Sequence, residues 1–396
     1  MKLPLTVTLS LWLTLTTSAL ADWKQTLDVA RGQTVYWNAW GGDERTNTFI
    51  KWVGEQTEAN YGVKVNQVKL SDTSEAVTRV LSEKAAGKNK YGSVDLIWIN
   101  GPNFLTMKNK DLLHGPFVRE LPNAKYLDLK PDSLASVDFT TPVKGMESPW
   151  RLAKFVFIYD SARINTPPSN MTELLNWATE HPGRFTHPDP SNFMGVTFLK
   201  QALIELAPDV ALLQNPVTQE IFSETVAHLW EWYDALKPNL WRGGKTFPKN
   251  QSIQQQLLND NEVDISMSFD PASTAAAILQ GLLPETARVF VPESGSIGNI
   301  SFVAIPYNAS HIAGAKVVAN FLLQPSTQAH MQNIEVLGSF SVLDPTKLNK
   351  SIEESFSMLP STPALPSIHE LGPTLMEPHA SWMIKLIDEW ANRYTK

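Results

Sequence analysis

The chain of 396 residues carries a net charge of −7 at pH 7, contains 13 tryptophans and has no cysteine. The absence of cysteine excludes disulfide bonds, thiolate metal sites, a cysteine nucleophile and a lipid-modified leader cysteine. Mild acidity without basic runs argues against nucleic acid and anionic membrane surfaces as partners, and the length favours at least two domains.

The amino terminus resembles an export signal. A single Lys2, an apolar stretch from Leu5 and the small-residue triplet from Ala19 to Ala21 predict a signal peptide over residues 1–21, cleaved before Asp22. The alternative is a membrane anchor, but the segment is rich in Thr and Ser and is short for a span of about 20 apolar residues. We therefore expect an exported, soluble mature chain.

The first third of the mature chain alternates strand and helix patterns about every 30 residues, which predicts βαβ units on a parallel sheet. The strand candidates are Thr34–Asn38, Val63–Val68 and Val94–Ile99. Ligands of such sheets bind at the carboxyl ends of the strands. The residues that follow two of these strands are therefore candidate ligand contacts: Trp40, Gly41, Asn100 and Gly101.

Each of these candidates also has a structural explanation. Trp40 could pack on the next helix through Trp52, and Asn100 with Gly101 could serve only the geometry of a turn. Asp43 and Glu44, which follow the glycines, are better explained as helix-capping residues favoured by the helix dipole.

The remaining sequence predicts a second α/β region that the chain enters and leaves through extended segments. The predicted elements are a long strand over Trp150–Tyr159, helices over Met171–Glu180, Asn192–Leu206, Ile221–Leu236 and Ser252–Leu258, a strand over Val263–Phe269, a helix from Pro271, two extended pieces within Arg288–Pro306, and helices over Ile312–Leu323 and Ser381–Tyr394.

This order predicts two α/β lobes joined by two β crossovers, with a cleft between the lobes. We assign residues 22–150 and 304–345 to the first lobe and 151–303, with both hinge crossovers, to the second. Residues 346–396 form a C-terminal helical segment that packs on the lobes. Side chains on the crossovers and on the last strand of the second lobe would face the cleft. The candidates there are Trp150, Arg151, Phe269, Asp270 and Glu293.

These side chains again have alternatives: hinge packing for Trp150 and Arg151, and an N-cap role for Asp270. Trp241 and Asp189 are weaker candidates, because they lie in predicted loops. Tryptophans with carboxylates favour a cationic or heteroaromatic ligand. Arg45, Arg151 and helix N-termini would favour an anion instead, so the sequence leaves the sign of the ligand charge open.

Motifs typical of enzymes are absent from the sequence. It contains no histidine pair at helical metal-binding spacing, no G-x-S-x-G elbow and no phosphate-binding glycine loop. We therefore expect no catalysis, no metal and no cofactor. The alternative is a secreted two-lobed α/β hydrolase that uses carboxylates such as Asp189 and Asp270, since such acids carry little local signature.

Three segments carry a family resemblance: "PWRLAKFVFIYDSARI" from Pro149, "HPDPSNFMG" from His187 and, most strongly, "VAIPYNASHIAGAKVVANFLLQPSTQAHM" from Val303. The chain resembles the solute-binding subunits of ATP-binding-cassette importers with the type II fold. It is most similar to the thiamine- and polyamine-binding group, which has an uncharacterised thiamine-binding-like branch.

The resemblance implies a monomer with two hinged lobes that delivers a solute to permease subunits in the inner membrane. The missing leader cysteine implies a free periplasmic protein. Ferric-ion binders of the same family use two adjacent tyrosines, whereas all eight tyrosines here are isolated.

Overall fold

The first lobe is built on the predicted parallel strands. The computed structural model describes residues 22–131 and 133–395, so the predicted signal peptide lies outside the described residues. A helix, α1, covers residues 22–30. Strands β1 (Thr34–Trp40), β2 (Lys64–Leu70) and β3 (Leu96–Ile99) alternate with helices α2 (Glu44–Tyr61), α3 (Ser74–Ala85) and α4 (Pro102–Asn109). β1 lies between β2 and β3 and is parallel to both. The predicted βαβ arrangement is confirmed.

A small hairpin, β4 (Val137–Asp138) and β5 (Thr141–Pro142), precedes the first crossover. The chain then leaves the first lobe along β6 (Glu147–Lys154) and enters the second along β7 (Val156–Asp160). The predicted single strand over Trp150–Tyr159 is thus two strands. The interruption is at Phe155, whose N–H donates to Ile297 O. At Phe155 the chain passes from the first sheet to the second.

The second lobe contains the antiparallel sheet β8–β7–β9, in which β8 is Ile265–Ser268 and β9 is Ala287–Phe290. Its helices are α5 (Met171–Glu180), α6 (Phe193–Leu206), α7 (Gln219–Thr225), α8 (Ala227–Leu236), α9 (Gln251–Asn259) and α10 (Ala272–Leu279). The prediction of one continuous helix over Ile221–Leu236 is wrong in one respect, because the helix breaks at Val226 into α7 and α8.

The chain returns along β10 (Ser296–Ala304), which is antiparallel to both β6 and β3. The first sheet therefore has the order β2–β1–β3–β10–β6. Helices α11 (Ile312–Leu322), α12 (Pro325–Gln332) and α13 (Lys350–Ser357) follow. The two predicted crossovers are confirmed as the paired strands β6 and β10.

A third crossover lies beside these two. Strand β11 (Thr374–Leu375) pairs in parallel with the first residues of β10. It lies on the same edge of β10 as β3, which pairs with the last residues of β10. Lys154, fully buried at the end of β6, fixes this strand by donating to Gly372 O (2.7 Å), Pro373 O (2.9 Å) and Thr374 Oγ1 (3.2 Å). The last helix, α14 (Ala380–Tyr394), follows directly.

Each lobe has its own hydrophobic core. The first is formed by buried residues between Ala30 and Trp150 together with residues from Ile300 to Leu343. The second draws on Ala153 to Ile297 and is completed by Trp382, Leu386 and Trp390 of α14. Two cores linked by three strands make a two-lobed α/β fold, in which the hinge is the place where the lobes can rotate.

Candidate functional site

Trp40 ends β1 at the carboxyl edge of the first sheet, and it is 41% exposed. Its indole lies directly over the backbone of Gly42, where an added Cβ would come within 2.3 Å of the ring. A side chain at position 42 would thus displace the indole from this position. The paired glycines after the strand let Trp40 present part of its ring to solvent.

Gly41 lies beside the indole, but its backbone is already engaged. Its N–H donates to Leu70 O at 2.9 Å, and its carbonyl accepts from Asn47 Nδ2 at 3.1 Å. Gly41 therefore shapes the turn and is not a free hydrogen-bond donor for a ligand.

Asp43 caps α2 as expected. Its carboxylate accepts from the backbone N–H of Arg45 (3.3 Å) and Thr46 (3.1 Å) and from Thr46 Oγ1 (2.6 Å). A carboxylate at this position is favoured by the helix dipole and the free N–H groups. The interpretation of Asp43 as a cap is confirmed, and it satisfies the backbone amides of Arg45 and Thr46.

Trp98 of β3 extends the aromatic surface from Trp40 towards the hinge. The two indoles meet edge to face with centroids 6.4 Å apart, and the Arg151 guanidinium lies over the Trp98 ring at 5.7 Å. Such a guanidinium is attracted to the electron-rich ring face. Trp40, Trp98 and Arg151 therefore form one continuous row of contacts, which runs from the exposed Trp40 to the buried Arg151.

Trp150, by contrast, is fully buried and cannot contact a ligand, so its prediction as a cleft residue is wrong. The pairing between β6 and β10 shifts register after Ser301. Ser301 pairs with Arg151 and Phe302 pairs with Pro149, which leaves Trp150 without a pairing partner. At this bulge Trp150 turns into the first core, where it stacks on Phe49 with centroids 6.1 Å apart.

Arg151 and Asp270 join the lobes. Arg151 Nη2 lies 3.4 Å from Asp270 Oδ2, with the two side chains only 10% and 20% exposed, and Arg151 Nη1 reaches Thr46 Oγ1 at 3.4 Å. Asp270 also accepts from the N–H of Ala272 at 3.1 Å, although the N-cap position of α10 is Pro271 and not the predicted Asp270. The pair connects the end of β8 with the hinge strand β6.

A second arginine lies against this pair. Arg45 donates to Ile334 O at 2.6 Å. Burial lowers the pKa of its guanidinium, the charges of Asp270 and Asp43 oppose that decrease, and the charge of Arg151 adds to it. Two arginines and two aspartates from three parts of the chain thus share one region, in which the charges balance.

Asn100 and Gly101 form the predicted turn after β3, and the turn is fixed by the protein itself. Asn100 Nδ2 donates to Ile300 O of the hinge, and the Gly101 N–H donates to the buried Asp138 carboxylate at 2.6 Å. Gly101 adopts φ +55°, a conformation that favours glycine. Burial raises the pKa of Asp138 well above its ordinary value, and the Gly101 hydrogen bond opposes that increase.

The two remaining candidates, Phe269 and Glu293, lie in different surroundings. Phe269 is 9% exposed and meets Phe193 edge to face at 5.2 Å, so it supports the wall beside Asp270. Glu293 is exposed, and its N–H donates to Ser169 O, away from this cluster. The predicted placement of Glu293 on the return crossover is corrected, because it lies in the loop before β10, which begins only at Ser296; its role as a ligand contact stays a prediction.

The two loop candidates also make local contacts. Trp241 Nε1 donates to Glu262 at 2.8 Å, and Asp189 accepts from the Ser191 hydroxyl and amide. Neither residue is joined to the cluster around Arg151 by a contact that the structure records.

The sequence profile of the family described as "Bacterial extracellular solute-binding protein" matches residues 20–355. This chain belongs to that family. The predicted resemblance is therefore confirmed. The family gives this chain an extracellular solute-binding role.

Several known proteins are similar to this solute-binding protein. "Protein YnjB" of Escherichia coli (strain K12) is 41% identical over 375 residues, which are 94% of each chain. A putative spermidine/putrescine ABC transporter protein from Listeria monocytogenes has a TM-score of 0.61 at 19% identity, covering 91% of this chain and 98% of that one. The periplasmic binding protein AfuA from Actinobacillus pleuropneumoniae, with fructose-6-phosphate bound, has a TM-score of 0.62 at 14% identity, covering 92% and 99%. These structures support the fold.

The sequence interpretation missed two members of the cluster around Arg151, namely Trp98 and the placement of Arg45. Trp98 lies one position before the end of an apolar strand, and period-two alternation could have placed it on the face opposite the buried Ile97 and Ile99. No local signal shows that Arg45 reaches Ile334, because that contact spans 289 residues of chain.

Proposed function

We propose that this protein captures a small planar heteroaromatic or cationic solute, thiamine-like more than polyamine-like, between its lobes and delivers it to permease subunits in the inner membrane. The single observation that supports this proposal is the partly exposed Trp40 indole, held over Gly42 and continuous through Trp98 with the Arg151–Asp270 pair.

A flat indole face favours planar rings and cations through stacking and cation–π attraction. The Asp270 carboxylate lies at the other end of the same row of contacts and can hold a positive group of the solute. Both arginines already have acceptors within the protein, Ile334 O for Arg45 and Asp270 for Arg151, so neither requires an anionic solute.

The mechanism follows from where these residues lie. Trp40 and Trp98 belong to the first lobe, Arg151 to the hinge and Asp270 to the second lobe. A solute that touches all of them gains contacts in the closed form that the open form lacks, so binding favours closure. In this proposal residues 22–150 with 304–345 rotate against 151–303, the protein acts as a periplasmic monomer, and it catalyses no reaction.

The experiment is native mass spectrometry of protein purified from periplasm without refolding, followed by small-angle scattering with the released solute and with thiamine. We expect a bound small molecule and a smaller radius of gyration when it is added back. No compaction with the released solute, thiamine or a broad solute panel would refute the proposal. Turnover of an ester, glycoside or phosphate that is lost in Asp270→Asn would favour the hydrolase instead.

A further inference from the structure

A lysine ammonium is enclosed at the junction of the lobes. Lys200 of α6 is fully buried, and its Nζ lies 2.6 Å from Glu377 Oε2. The same ammonium lies 4.6 Å from the ring centroid of Phe139 and 5.1 Å from that of Phe193. We call Phe139, Phe193 and Glu377 the ammonium cage.

Burying a charge is costly unless it is paired and hydrogen-bonded. Burial lowers the pKa of Lys200 and raises the pKa of Glu377, while their mutual attraction opposes both changes. The second Glu377 oxygen accepts from Asn299 Nδ2 at 2.9 Å, which orients the carboxylate towards Lys200. One carboxylate and two aromatic faces form the type of environment that binds an ammonium ion.

Every part of the cage comes from a different segment of the fold. Phe139 lies in the turn between β4 and β5 of the first lobe, whereas Phe193 and Lys200 lie on α6 of the second lobe. Glu377 follows β11, the third crossover, and Asn299 lies on the hinge strand β10. The Lys200 ammonium therefore contacts both lobes.

The cage adjoins the candidate site on both sides. A Cβ on Gly101 would lie 3.2 Å from the Phe139 ring, and Phe193 meets Phe269, the neighbour of Asp270, edge to face. Asn299 pairs with Ala153, two residues beyond Arg151, so Asn299 and Arg151 share one face of the hinge.

We propose that the ammonium cage is a subsite of the cleft that the chain fills with its own Lys200, so that this end of the cleft rejects solutes with a second cationic group. The cage itself stands on the contacts of Lys200, while its effect on solute choice rests on the proposed function. A solute with one positive centre near Trp40 is accepted, whereas a linear diamine meets a subsite that is already occupied.

The first test uses Lys200→Ala, which empties the cage, with Lys200→Met as a matched control that refills it with an apolar chain. The atoms removed beyond Cβ correspond to n-propylammonium. We expect n-propylammonium chloride to raise the melting temperature of Lys200→Ala saturably, by about 2 °C at ten times Kd, relative to equal sodium chloride. Wild type, Lys200→Met and Lys200→Ala/Glu377→Gln should show no such rise. If the melting temperature of Lys200→Ala does not rise, or if that of wild type rises equally, the proposal is overturned.

The second test addresses solute choice with 1,4-diaminobutane as the probe. Wild type should not bind it in calorimetry, and Lys200→Ala should bind it at least ten-fold more tightly than wild type. Binding by wild type as tight as binding by Lys200→Ala would overturn the exclusion. The propylammonium result does not depend on the natural solute, so a failure of the cage is distinguishable from a failure of the proposed function, which shows as missing compaction.

A third test needs no change at Lys200 and therefore holds even if Lys200→Ala does not fold. Reductive methylation of native wild type should leave Lys200 unmodified, and Phe193→Leu should raise its labelling rate about ten-fold, because one wall of the cage is shortened. Labelling of Lys200 in wild type at the rate of the exposed Lys51 would overturn the proposal.

Discussion

Replacing Trp40 with alanine removes the surface on which the proposed function depends. The indole is 41% exposed and lies over Gly42, where alanine at position 40 would leave open space. The strand itself should remain, because the backbone of β1 is paired with β2 and β3 on either side. We therefore expect a loss of solute affinity with little loss of fold stability.

The exposed fraction of Trp40 sets the expected loss of affinity. A tryptophan side chain has up to about 250 Å² of surface, so roughly 100 Å² of Trp40 is available for a solute to cover. At about 25 cal/mol per Å² this contact contributes about 2.5 kcal/mol, or roughly 70-fold in Kd. Micromolar to nanomolar solutes require about 8 to 12 kcal/mol, so Trp40 would supply a substantial part of the binding free energy.

The assay is calorimetric titration with the solute released from the native protein, or with thiamine. Tyr36→Ala is a matched control, since Tyr36 lies on the same strand and is 40% exposed, but at the amino end of β1. Its Kd should equal that of wild type. If Trp40→Ala binds within three-fold of wild type, or if Tyr36→Ala loses as much affinity, the assignment of the cleft to the carboxyl edge of the sheet is refuted.

Three further predictions concern the hinge and the buried charges. Asp270→Asn weakens its ion pair with Arg151 by about 1.5 kcal/mol, so the ratio of closed to open molecules, measured by fluorescence energy transfer between the lobes, should fall about ten-fold. Burial raises the pKa of Glu147 well above its ordinary value of 4.5, so its contribution to stability is complete below pH 4.5 and is lost as the pH rises through the raised pKa. Glu147→Gln should therefore melt above wild type at pH 8, and the difference should vanish near pH 4. Lys154→Met removes three hydrogen bonds to the third crossover, so the Ser296 amide, which donates to Pro373, should exchange its hydrogen at least ten-fold faster.

The variants at Asp270 and Glu147 each have a control. Asp260→Asn changes an exposed carboxylate of the same lobe and should leave the closed fraction unaltered. Glu293→Gln changes an exposed glutamate and should not alter the pH dependence of melting. An unchanged closed fraction, an unchanged pH profile or an unchanged exchange rate in the three test variants would contradict the corresponding prediction.

Much of the architecture could be predicted from the sequence, because period and length identify regular elements. The helix over Met171–Glu180 has the predicted bounds, and the final helix starts one residue earlier than predicted. The third crossover was missed because β11 has only two residues, too few for a strand pattern. It is identified by tertiary contacts, chiefly those of Lys154.

The candidate site was predicted in part, because a sequence indicates where strands end but not where each side chain turns. Trp150 and Arg151 are neighbours on one crossover, and the bulge beside Ser301 sends the first into the core and the second towards Asp270. Lys200 had a usable signal, since it lies within the apolar helix Phe193–Leu206, where a charged residue requires a partner. Its partner Glu377 lies 177 residues away, which no local pattern reveals.

The second core joins residues 153–297 to α14, which is distant in the sequence, and this separation affects when the second lobe can fold. Trp382 and Trp390 are among its most deeply buried residues, yet they are synthesised after the whole of the first lobe. A nascent chain that still lacks α14 cannot complete this core, so the second lobe can pack fully only after residue 390 has been made.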